Sequence, residues 1–402
     1  MSGFTEMKEI ARGAFGTIKL GYSSSNYLVA LKCISPSRCS SYDTRSVSDT
    51  TTEVIPIEIF REIQSLRLLN DIEGEGRENI VKLLDVHASL NGEVVLVFPY
   101  SPIDLQKLIS TAADGVSDND NATRIRPFLP RKIILHLFHQ SLLSLHHLHA
   151  SSASLLHRDI KPSNFLLSPS TGLLQLCDFG LCTRRLTSDE RDAGRRLTHA
   201  VCTRWYRPPE ILFGGVDYDV GIDLWGLGCV LGEMLNSSPL FPGGSDIEQI
   251  FRVLVWTGAP NSKANGMKWR DAVKCGDWGK IVVPEDWVGR GVEELVPRCS
   301  TKVWEGARRA LKGLLELDPK ERSTTRELLE MGAWGGSGRE AVREFLIGLL
   351  GGVGGAGEAD KGNNGSGRKK TTDIEEMGQK EIQRRKAVDN NYAFGEAKIN
   401  WK

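Results

Sequence analysis

The sequence lacks several features that would assign it to a specialised class of protein. Its 402 residues carry 51 basic and 51 acidic side chains, so no excess positive charge favours nucleic acid or an anionic membrane. No apolar run reaches the roughly 18 residues that a membrane-spanning helix needs. The first ten residues, MSGFTEMKEI, show no basic stretch followed by an apolar one, so we expect no signal peptide.

Cysteine is scarce and scattered, and its eight copies form no Cys-x-x-Cys pair. This spacing argues against zinc modules and a disulfide framework, and it is typical of proteins from a reducing compartment. We therefore expect a soluble intracellular protein, of the nucleus, the cytoplasm or both, with neither nucleic acid nor a membrane among its partners. Forty per cent hydrophobic residues is ordinary for a globular protein with a large core.

The pattern of the chain changes twice along its length. Residues 1–100 are predicted to form short strands around one helix, PIEIFREIQSLRLLN, and residues 101–350 are predicted to be mainly helical. Residues 351–402 are rich in glycine and charge, which predicts a largely disordered tail. Its RKK and QRRK clusters are compatible with a nuclear localisation signal, although solvated tails often carry such clusters.

Four polar residues lie on two short segments with apolar flanks. Asp159, Lys161 and Asn164 fall in LLHRDIKPSNFLL, and Asp178 follows in LCDFGL. Carboxylate and amide oxygens suit a hard cation such as Mg²⁺, which prefers few protein ligands together with phosphates and water. A further carboxylate can accept the proton of a hydroxyl nucleophile, and phosphoryl transfer requires this combination.

These segments resemble the catalytic loop H-R-D-x-K-x-x-N and the metal-binding D-F-G of eukaryotic protein kinases. The resemblance implies that Asp159 deprotonates a substrate hydroxyl and that Lys161 contacts the γ-phosphate of ATP. It implies that Asn164 and Asp178 hold Mg²⁺. It also implies an α+β, bilobal kinase fold.

The implied fold divides the chain into a small β-rich lobe and a larger helical lobe. The small lobe covers residues 1–100 and the large lobe residues 101–350. Together they form one kinase domain of about residues 4–350, with the ATP cleft between the lobes.

The other kinase motifs occur in the expected order. IARGAFG resembles the Gly-rich phosphate loop, with Ala11 where the first glycine is usual. Lys32 matches the lysine that pairs with the α- and β-phosphates, and Glu62 the glutamate that pairs with this lysine. The resemblance assigns ATP binding to Ile10, Ala11, Arg12, Gly13, Ala14, Phe15, Gly16, Ile18, Ala30, Lys32, Phe98, Pro99, Tyr100, Ser101, Asp104, Leu166 and Asp178.

Three segments narrow the resemblance to cyclin-dependent kinases of the CMGC group. PIEIFRE resembles their cyclin-contacting helix, LTHAVCTRWYRPPE their activation segment, and SPLFPGGSDIEQIFRVLVWTGAP the insert further along. The resemblance places activating phosphorylation on Thr198, and Arg61 and Arg158 match two of its usual guanidinium partners. Arg184 or Arg185 is an alternative for the third. Mitogen-activated kinases fit less well because they need Thr-x-Tyr.

The resemblance also implies contacts that support the catalytic residues. They are Thr203 with Asp159 and Lys161, Glu210 with Arg322, and Asp223 with the backbone of the catalytic loop.

The expected activity is transfer of the ATP γ-phosphate to Ser or Thr of proteins, in cell-cycle or transcription control. In this family a pocket formed here by Val201 and Arg207 receives a proline after the target residue. Some relatives instead phosphorylate the activation threonine of other cyclin-dependent kinases, so a single-chain CDK-activating kinase is an alternative. The divergent IEIF leaves a cyclin partner open. A catalytically silent scaffold is disfavoured because no catalytic position is missing.

Three further features are interpreted from residue type. Ala14 and Phe15 stand where cell-cycle relatives carry an inhibitory Thr-Tyr pair, so we expect this kinase to escape that inhibition. Five histidines within residues 136–149 lack acidic or Cys partners in the pattern, so we expect a solvated helix face rather than a metal site. Cys177 and Cys182 are interpreted as small apolar fillers rather than redox-sensitive thiols.

Overall fold

The computed structural model describes residues 4–354 with interruptions. The residues left undescribed within this range are 14–15, 36, 39–52, 55, 89–91, 115–128, 151, 262–268, 285–286 and 337. Ala14, Phe15, most of the Ser/Thr-rich loop before the first helix and nearly all of the predicted tail therefore lie outside the described residues.

A five-stranded antiparallel sheet forms the first part of the described chain, in the order β1-β2-β3-β7-β6. Val29, Leu31 and Cys33 are buried on one face of β3, so the alternation of the strand directs Lys32 to the opposite face. A separate pair, β4 with β5, follows β3. The strands are β1 (Phe4–Gly13), β2 (Gly16–Ser23), β3 (Leu28–Ile34), β4 (Ser37–Arg38), β5 (Glu53–Val54), β6 (Asp85–Ala88) and β7 (Val94–Pro99).

Helix α1 (Ile57–Asp71) packs on this sheet through the face that its apolar periodicity predicts. Pro56 precedes its first turn, where a missing N–H costs nothing. Ile59 is buried in one cluster with Ile34 and Leu96 of the sheet. Glu62 lies on the same buried face, three residues further along, and its carboxylate is thereby carried toward β3.

Helices dominate the chain beyond residue 105. Among the described residues, no helix combines the length and apolar character needed to cross a bilayer. The helices are α2 (Leu105–Asp114), α3 (Arg131–Ala150), α4 (Ser188–Asp192), α5 (Pro209–Leu212), α6 (Gly221–Asn236), α7 (Asp246–Thr257), α8 (Val292–Leu295), α9 (Glu305–Leu314), α10 (Thr325–Glu330) and α11 (Arg339–Gly354).

The core of this helical part surrounds α6, which is buried from Gly221 to Leu235. Gly226 allows the catalytic loop to approach α6, because a Cβ at this position would lie 2.9 Å from Cβ of Ile160. Packing on α6 therefore fixes the position of the loop that contains Asp159.

Short strands frame the two loops that carry polar residues. Strands β11, β10 and β8 form one sheet, and β12 pairs with β9. The catalytic loop runs between β9 and β10, and the DFG segment between β11 and β12, so the two pairings place both loops side by side. These strands are β8 (Ile103–Asp104), β9 (Leu155–Leu156), β10 (Phe165–Leu167), β11 (Leu174–Leu176) and β12 (Thr183–Arg184).

The prediction of a solvated histidine face on α3 was wrong. His136, His147 and His149 are buried, because α3 is covered on most of its surface. His147 Nε2 lies 3.1 Å from the carbonyl oxygen of Leu69, and His149 Nε2 lies 2.9 Å from the Asp223 carboxylate. These histidines therefore serve as hydrogen-bonding groups of the core.

Candidate active site

Three charged residues from β3, α1 and the DFG segment meet at one point. Lys32 Nζ lies 2.7 Å from Glu62 Oε2 and 3.1 Å from Asp178 Oδ1. Burial lowers the pKa of Lys32, but the two carboxylates more than offset this and the pKa is raised overall. Lys32 is therefore held as an ammonium group. Its two partners come from segments that are distant in the sequence.

Asp178 adopts a left-handed backbone conformation, with φ of 64°. Such a conformation is unfavourable for a non-glycine residue and persists only where the surroundings enforce it. The next residue, Phe179, is completely buried and packs edge-on against His157, with 4.9 Å between ring centroids. This anchor turns the Asp178 carboxylate, which is 46% exposed, toward the space beside Lys32.

The Asp159 carboxylate is held by two neighbours. Its Oδ1 accepts hydrogen bonds from the backbone N–H (2.9 Å) and the hydroxyl (2.7 Å) of Thr203. Its Oδ2 lies 2.6 Å from Lys161 Nζ, which also donates to the Thr203 hydroxyl. Burial opposes ionisation, but Lys161 and Thr203 hold the pKa of Asp159 below its ordinary value. Asp159 is thus an oriented carboxylate at neutral pH.

Asp223 of α6 holds the backbone of the catalytic loop, as predicted. Its buried carboxylate accepts hydrogen bonds from the N–H groups of His157 (2.9 Å) and Arg158 (2.8 Å). His149 contacts the same carboxylate, a residue that the sequence did not single out for this role. Arg158 has a φ of 69°, so these bonds stabilise a loop conformation that is otherwise unfavourable.

The predicted Glu210–Arg322 pair is also present. Two parallel hydrogen bonds of 2.7 Å join the guanidinium to the carboxylate, and both side chains are almost fully buried. Arg322 further donates to the carbonyl oxygen of Gly221 and lies over the ring of Trp225, 5.0 Å from its centroid. The pair ties the end of the activation segment to α6.

The described residues of the Gly-rich segment form the end of β1 and the start of β2. Ile10, Ala11 and Arg12 are exposed, and Arg12 forms an exposed ion pair with Glu9. Gly16 is required by packing, because a Cβ there would lie 2.1 Å from the carbonyl oxygen of Cys33. Gly13 and Gly16 face each other in the β1–β2 register.

A group of partly exposed residues, several of them apolar, lies on the five-stranded sheet, on the connection from β7 to β8, and on β8 and β10. Ala30 pairs with Phe98 in the sheet, and Leu166 pairs with Asp104 in β10–β8. The residues of this group that are neither fully buried nor fully exposed are Ile18, Ala30, Phe98, Pro99, Tyr100, Ser101, Asp104 and Leu166. Apolar side chains with a few polar atoms are the composition expected of a site for a flat ring.

Two polar residues of this group already have internal hydrogen bonds. Ser101 donates its hydroxyl to the carbonyl oxygen of Leu167, 2.5 Å away. One oxygen of Asp104 accepts the N–H of Lys107 at the start of α2, 2.7 Å away. Burial raises the pKa of Asp104.

The two arginines predicted for Thr198 differ in their hydrogen bonds. Arg158 Nη1 lies 3.3 Å from the Thr198 hydroxyl, and the Tyr218 hydroxyl donates to the Thr198 carbonyl oxygen. No hydrogen bond or ion pair joins Arg61 to Thr198 in the described part of the chain. Tyr218 also contacts Arg158 (3.1 Å), a contact that no sequence motif indicated.

Residues after Thr198 form a second feature that sequence reasoning predicted only in part. Cys202 has a φ of 65°, and its carbonyl oxygen accepts hydrogen bonds from Arg207 Nε (3.3 Å) and Nη2 (3.0 Å). Arg207 Nε also donates to the Val201 carbonyl oxygen. Val201 and Arg207 were predicted, whereas Cys202 was missed because nothing in its residue type signals a left-handed conformation.

The two cysteines beside the DFG segment are poor nucleophiles. Burial raises the pKa of both thiols, that of Cys182 to about 12. Both therefore stay protonated at neutral pH, which agrees with their interpretation as small apolar fillers.

The donor set beside Asp159 suits a nucleotide with a hard cation. Asn164 donates its Nδ2 to the Asp159 carbonyl oxygen (2.8 Å), and its Oδ1 accepts no hydrogen bond from the described residues. Asp178 offers an exposed carboxylate oxygen. No group of three or more His, Cys, Asp or Glu ligands occurs among the described residues. One amide and one carboxylate match a Mg²⁺ ion that keeps water and phosphate ligands.

Four features together define a protein kinase: the sheet with helix α1 packed on it, the helical second part, the Lys32–Glu62–Asp178 cluster and the Asp159 loop. The protein kinase domain family matches residues 4–332, and the chain belongs to this family. The predicted α+β, bilobal kinase fold is confirmed.

Relatives narrow the class to kinases that resemble cyclin-dependent kinases. Cyclin-dependent kinase 20 of Danio rerio is 35% identical over 330 residues, 82% of this chain and of the relative. Cyclin-dependent kinase 20 of Homo sapiens is 35% identical over 302 residues, 75% of each. A chain of the CAK complex from Chaetomium thermophilum bound to ATP-γ-S superposes with a TM-score of 0.63 and 29% identity, covering 83% of this chain and 91% of that one. This chain is a CDK-like protein kinase.

Proposed function

We propose that this chain transfers the γ-phosphate of ATP to Ser and Thr residues of proteins, with Mg²⁺. The observation that carries the proposal is the oriented Asp159 carboxylate, held by Thr203 and Lys161. The test is Mg²⁺-dependent transfer of labelled phosphate to a protein substrate, with analysis of the phosphorylated residue type.

The small lobe is proposed to end at residue 100, because β7 ends at Pro99 and β8 begins the second sheet at Ile103.

Asp159 is the proposed general base. Its ionised carboxylate accepts the proton of the substrate hydroxyl as that oxygen forms its bond to phosphorus. Thr203 keeps the carboxylate in one orientation, so proximity and alignment are prepared before the substrate arrives. Lys161 places a positive charge at the position where negative charge develops on the transferred group.

Lys32, Asn164 and Asp178 are the proposed nucleotide-positioning residues. Bound Mg-ATP supplies the phosphoryl group and neutralises charge on its phosphates. Lys32 is oriented by Glu62 and would contact the α- and β-phosphates. Asn164 and Asp178 would hold the cation through Oδ1 and the exposed carboxylate oxygen. The remaining residues assigned to ATP binding form the adenine and ribose walls.

A silent scaffold is the competing function. All five expected residues are present: Lys32, Glu62 and Asp178 form one cluster, and Asn164 hydrogen-bonds to Asp159. This complete set favours the enzyme. A scaffold has no need for an oriented carboxylate with a depressed pKa.

The activation segment supports a preference for proline after the target residue. Arg207 occupies the carbonyl oxygens of Val201 and Cys202, so neither is available to a backbone N–H of the substrate. Proline has no N–H and is not penalised, whereas any other residue leaves a donor unpaired.

A Ser-Pro peptide is expected to have a kcat/KM at least about ten-fold above that of the matching Ser-Ala peptide, the effect of one unpaired donor. The preference should diminish in Arg207→Gln and persist in Asp246→Asn, which removes an Arg207 ion pair but keeps the Cys202 contact. Steady-state kinetics with both peptides is the measurement. Equal kcat/KM values for the two peptides in the wild type would exclude proline selection by this pocket.

Thr198 is the proposed activating phosphosite. Thr198→Ala is expected to lower the kcat/KM of otherwise fully phosphorylated enzyme by about ten-fold or more, because the phosphate adds charge-assisted hydrogen bonds with Arg158 and, as we propose, Arg61. Activity of phosphatase-treated and phosphorylated wild type provides the control. Unchanged specific activity in Thr198→Ala would refute the role.

The exposed face of α1 supports a protein partner such as a cyclin. Ile57, Phe60 and Leu68 are 56%, 47% and 44% exposed, although all three are large apolar side chains. Action on other cyclin-dependent kinases is supported by the similarity to a chain of the CAK complex. We propose cell-cycle or transcription control in the nucleus or cytoplasm as the setting.

One assay separates these possibilities. The purified chain, with and without cyclins, is given a kinase-dead cyclin-dependent kinase and a Ser-Pro peptide. Phosphorylation of the activation threonine by the chain alone would support a single-chain CDK-activating kinase. Activity that needs an added cyclin, or that occurs only on the peptide, would count against it.

A further inference from the structure

The same four residues, Arg-Arg-Leu-Thr, occur twice within the activation segment. The first copy is residues 184–187 and the second is residues 195–198, which ends in Thr198. Two guanidinium groups shortly before a hydroxyl are a pattern that a peptide groove lined with carboxylates can bind through charge-assisted hydrogen bonds. Since the copies are identical in sequence, only their surroundings can distinguish them.

The arginines of the first copy are engaged. Arg185 binds Asp219 with two hydrogen bonds, of 2.5 and 2.7 Å. Arg184 pairs with Glu190 at 2.5 Å and lies in β12, where it pairs with Leu155 of β9. The peptide-binding groove of another protein could bind this copy only after the Arg185–Asp219 ion pair was replaced and the pairing of β12 with β9 was opened.

The rest of the first copy is equally committed to the fold. Leu186 is 8% exposed. The Thr187 hydroxyl accepts the N–H of Glu190 in a capping box, while the Glu190 carboxylate accepts the N–H of Thr187. Thr187 therefore reaches the solvent only as part of a folded turn, and its hydroxyl is already used.

The second copy is presented very differently. Residues 195–198 belong to no helix or strand. The Arg195 side chain is 63% exposed and pairs with the same Glu190 carboxylate that binds Arg184. Arg196 is exposed, and among the described residues its side chain donates to the main-chain carbonyl oxygens of Arg191 and Arg195. An exposed single ion pair contributes little, so both guanidinium groups are available for another protein. Thr198 is exposed as well; its hydroxyl accepts one hydrogen bond, from Arg158 (3.3 Å), and its carbonyl oxygen accepts one from Tyr218.

We propose that Thr198 is phosphorylated by a separate, arginine-directed protein kinase that recognises Arg195 and Arg196. The identical first copy is protected from this kinase by its contacts within the fold. The proposal rests on the role of Thr198 as the activating phosphosite. In the reaction, the Thr198 hydroxyl oxygen bonds to the γ-phosphorus of ATP, the bond to the ADP oxygen breaks, and the Thr198 proton passes to the base of the modifying kinase. The products are phospho-Thr198 and ADP.

The test uses the full chain carrying Asp159→Asn, so that its own activity cannot contribute. It is incubated with Mg-ATP and the catalytic subunit of cyclic-AMP-dependent protein kinase as a representative arginine-directed enzyme. Phosphate on Thr187 and Thr198 is followed over time by mass spectrometry. Synthetic peptides of residues 180–192 and 191–203 serve as unfolded references.

We expect the two peptides to be phosphorylated at rates within about three-fold, and the folded chain to react at Thr198 at least about ten-fold faster than at Thr187. Comparable rates at Thr187 and Thr198 in the folded chain would overturn the proposal. So would a folded chain that is inert at Thr198 although its peptide reacts. If the peptide of residues 180–192 also fails to react, protection by the fold would be refuted as the reason for slow phosphorylation of Thr187.

Variants in the same background separate recognition from loss of structure. Arg195→Gln with Arg196→Gln should slow Thr198 phosphorylation at least about ten-fold, whereas Arg184→Gln should change it less than about two-fold. Asp219→Asn should release the first copy and raise the rate at Thr187. Equal slowing by both arginine variants would refute recognition of the second copy.

The wild-type chain distinguishes this proposal from the function on which it rests. If Thr198 is phosphorylated at the expected rate but kinase activity does not rise, only the activating role would be refuted. The assignment of the modifying enzyme to the arginine-directed class would stand. No phosphorylation of Thr198 by the probe, in a chain that is activated by phosphate at Thr198 from another source, would refute only the class of modifying enzyme.

Discussion

Replacing Asp159 with Asn is expected to lower kcat on a protein substrate by about 10²–10⁴-fold, the range that a positioned general base contributes. An amide oxygen can still accept the Thr203 hydroxyl (2.7 Å in the wild type), so the loop should keep its shape. It cannot accept a proton from the substrate at neutral pH. The measurement is steady-state phosphotransfer at saturating Mg-ATP.

Matched controls make this result specific to the base. Asp189→Asn removes an exposed carboxylate of α4 and should leave kcat unchanged. Binding of ATP and the melting temperature should be similar in Asp159→Asn and the wild type. Equal background rates for Asp159→Asn and wild type would reject the enzyme and favour the scaffold.

Arg322→Met is expected to lower the stability of the chain by about 3–5 kcal/mol, because it leaves Glu210 as a buried charge without its partner. The substitution also removes the hydrogen bond to the Gly221 carbonyl oxygen and the contact with the Trp225 ring. A melting temperature several degrees below that of the wild type, measured by calorimetry under identical conditions, is the expected observation.

Two further variants test the cause of this loss. Arg326→Met breaks an ion pair whose side chains are 80% and 65% exposed, and should cost no more than about 1 kcal/mol. Glu210→Gln combined with Arg322→Met removes both charges and should recover part of the stability. A double variant as unstable as the sum of its two single variants would show that the buried charge is not the cause.

The chemical groups of the site could be predicted because they occur in short segments of restricted composition. Asp159, Lys161 and Asn164 lie within six residues, so a single loop positions all three. Lys32, Glu62 and Asp178 come from distant segments, and their meeting could be inferred only through the resemblance to kinases. In the structure, Lys32 Nζ lies 2.7 Å from the Glu62 carboxylate and 3.1 Å from the Asp178 carboxylate.

The histidines of α3 show where a single sequence misleads. Their spacing marks one helix face, but no local pattern reveals what covers that face. The tertiary structure places Leu69 and Asp223 against His147 and His149, so polar residues become part of the core. A buried polar side chain is tolerated when it is hydrogen-bonded, and the partner is visible only after folding.

By itself the sequence predicted the family and the kinase fold, which the comparisons confirm, and it proposed the reacting groups, because motifs preserve residue types at short spacing. Only the tertiary structure decided that Arg158 hydrogen-bonds to the Thr198 hydroxyl and that Cys202 adopts a left-handed conformation. It alone distinguished two identical Arg-Arg-Leu-Thr segments. The physical reason is that exposure and ion pairing depend on neighbours such as Asp219, which the chain brings into contact from elsewhere in its length.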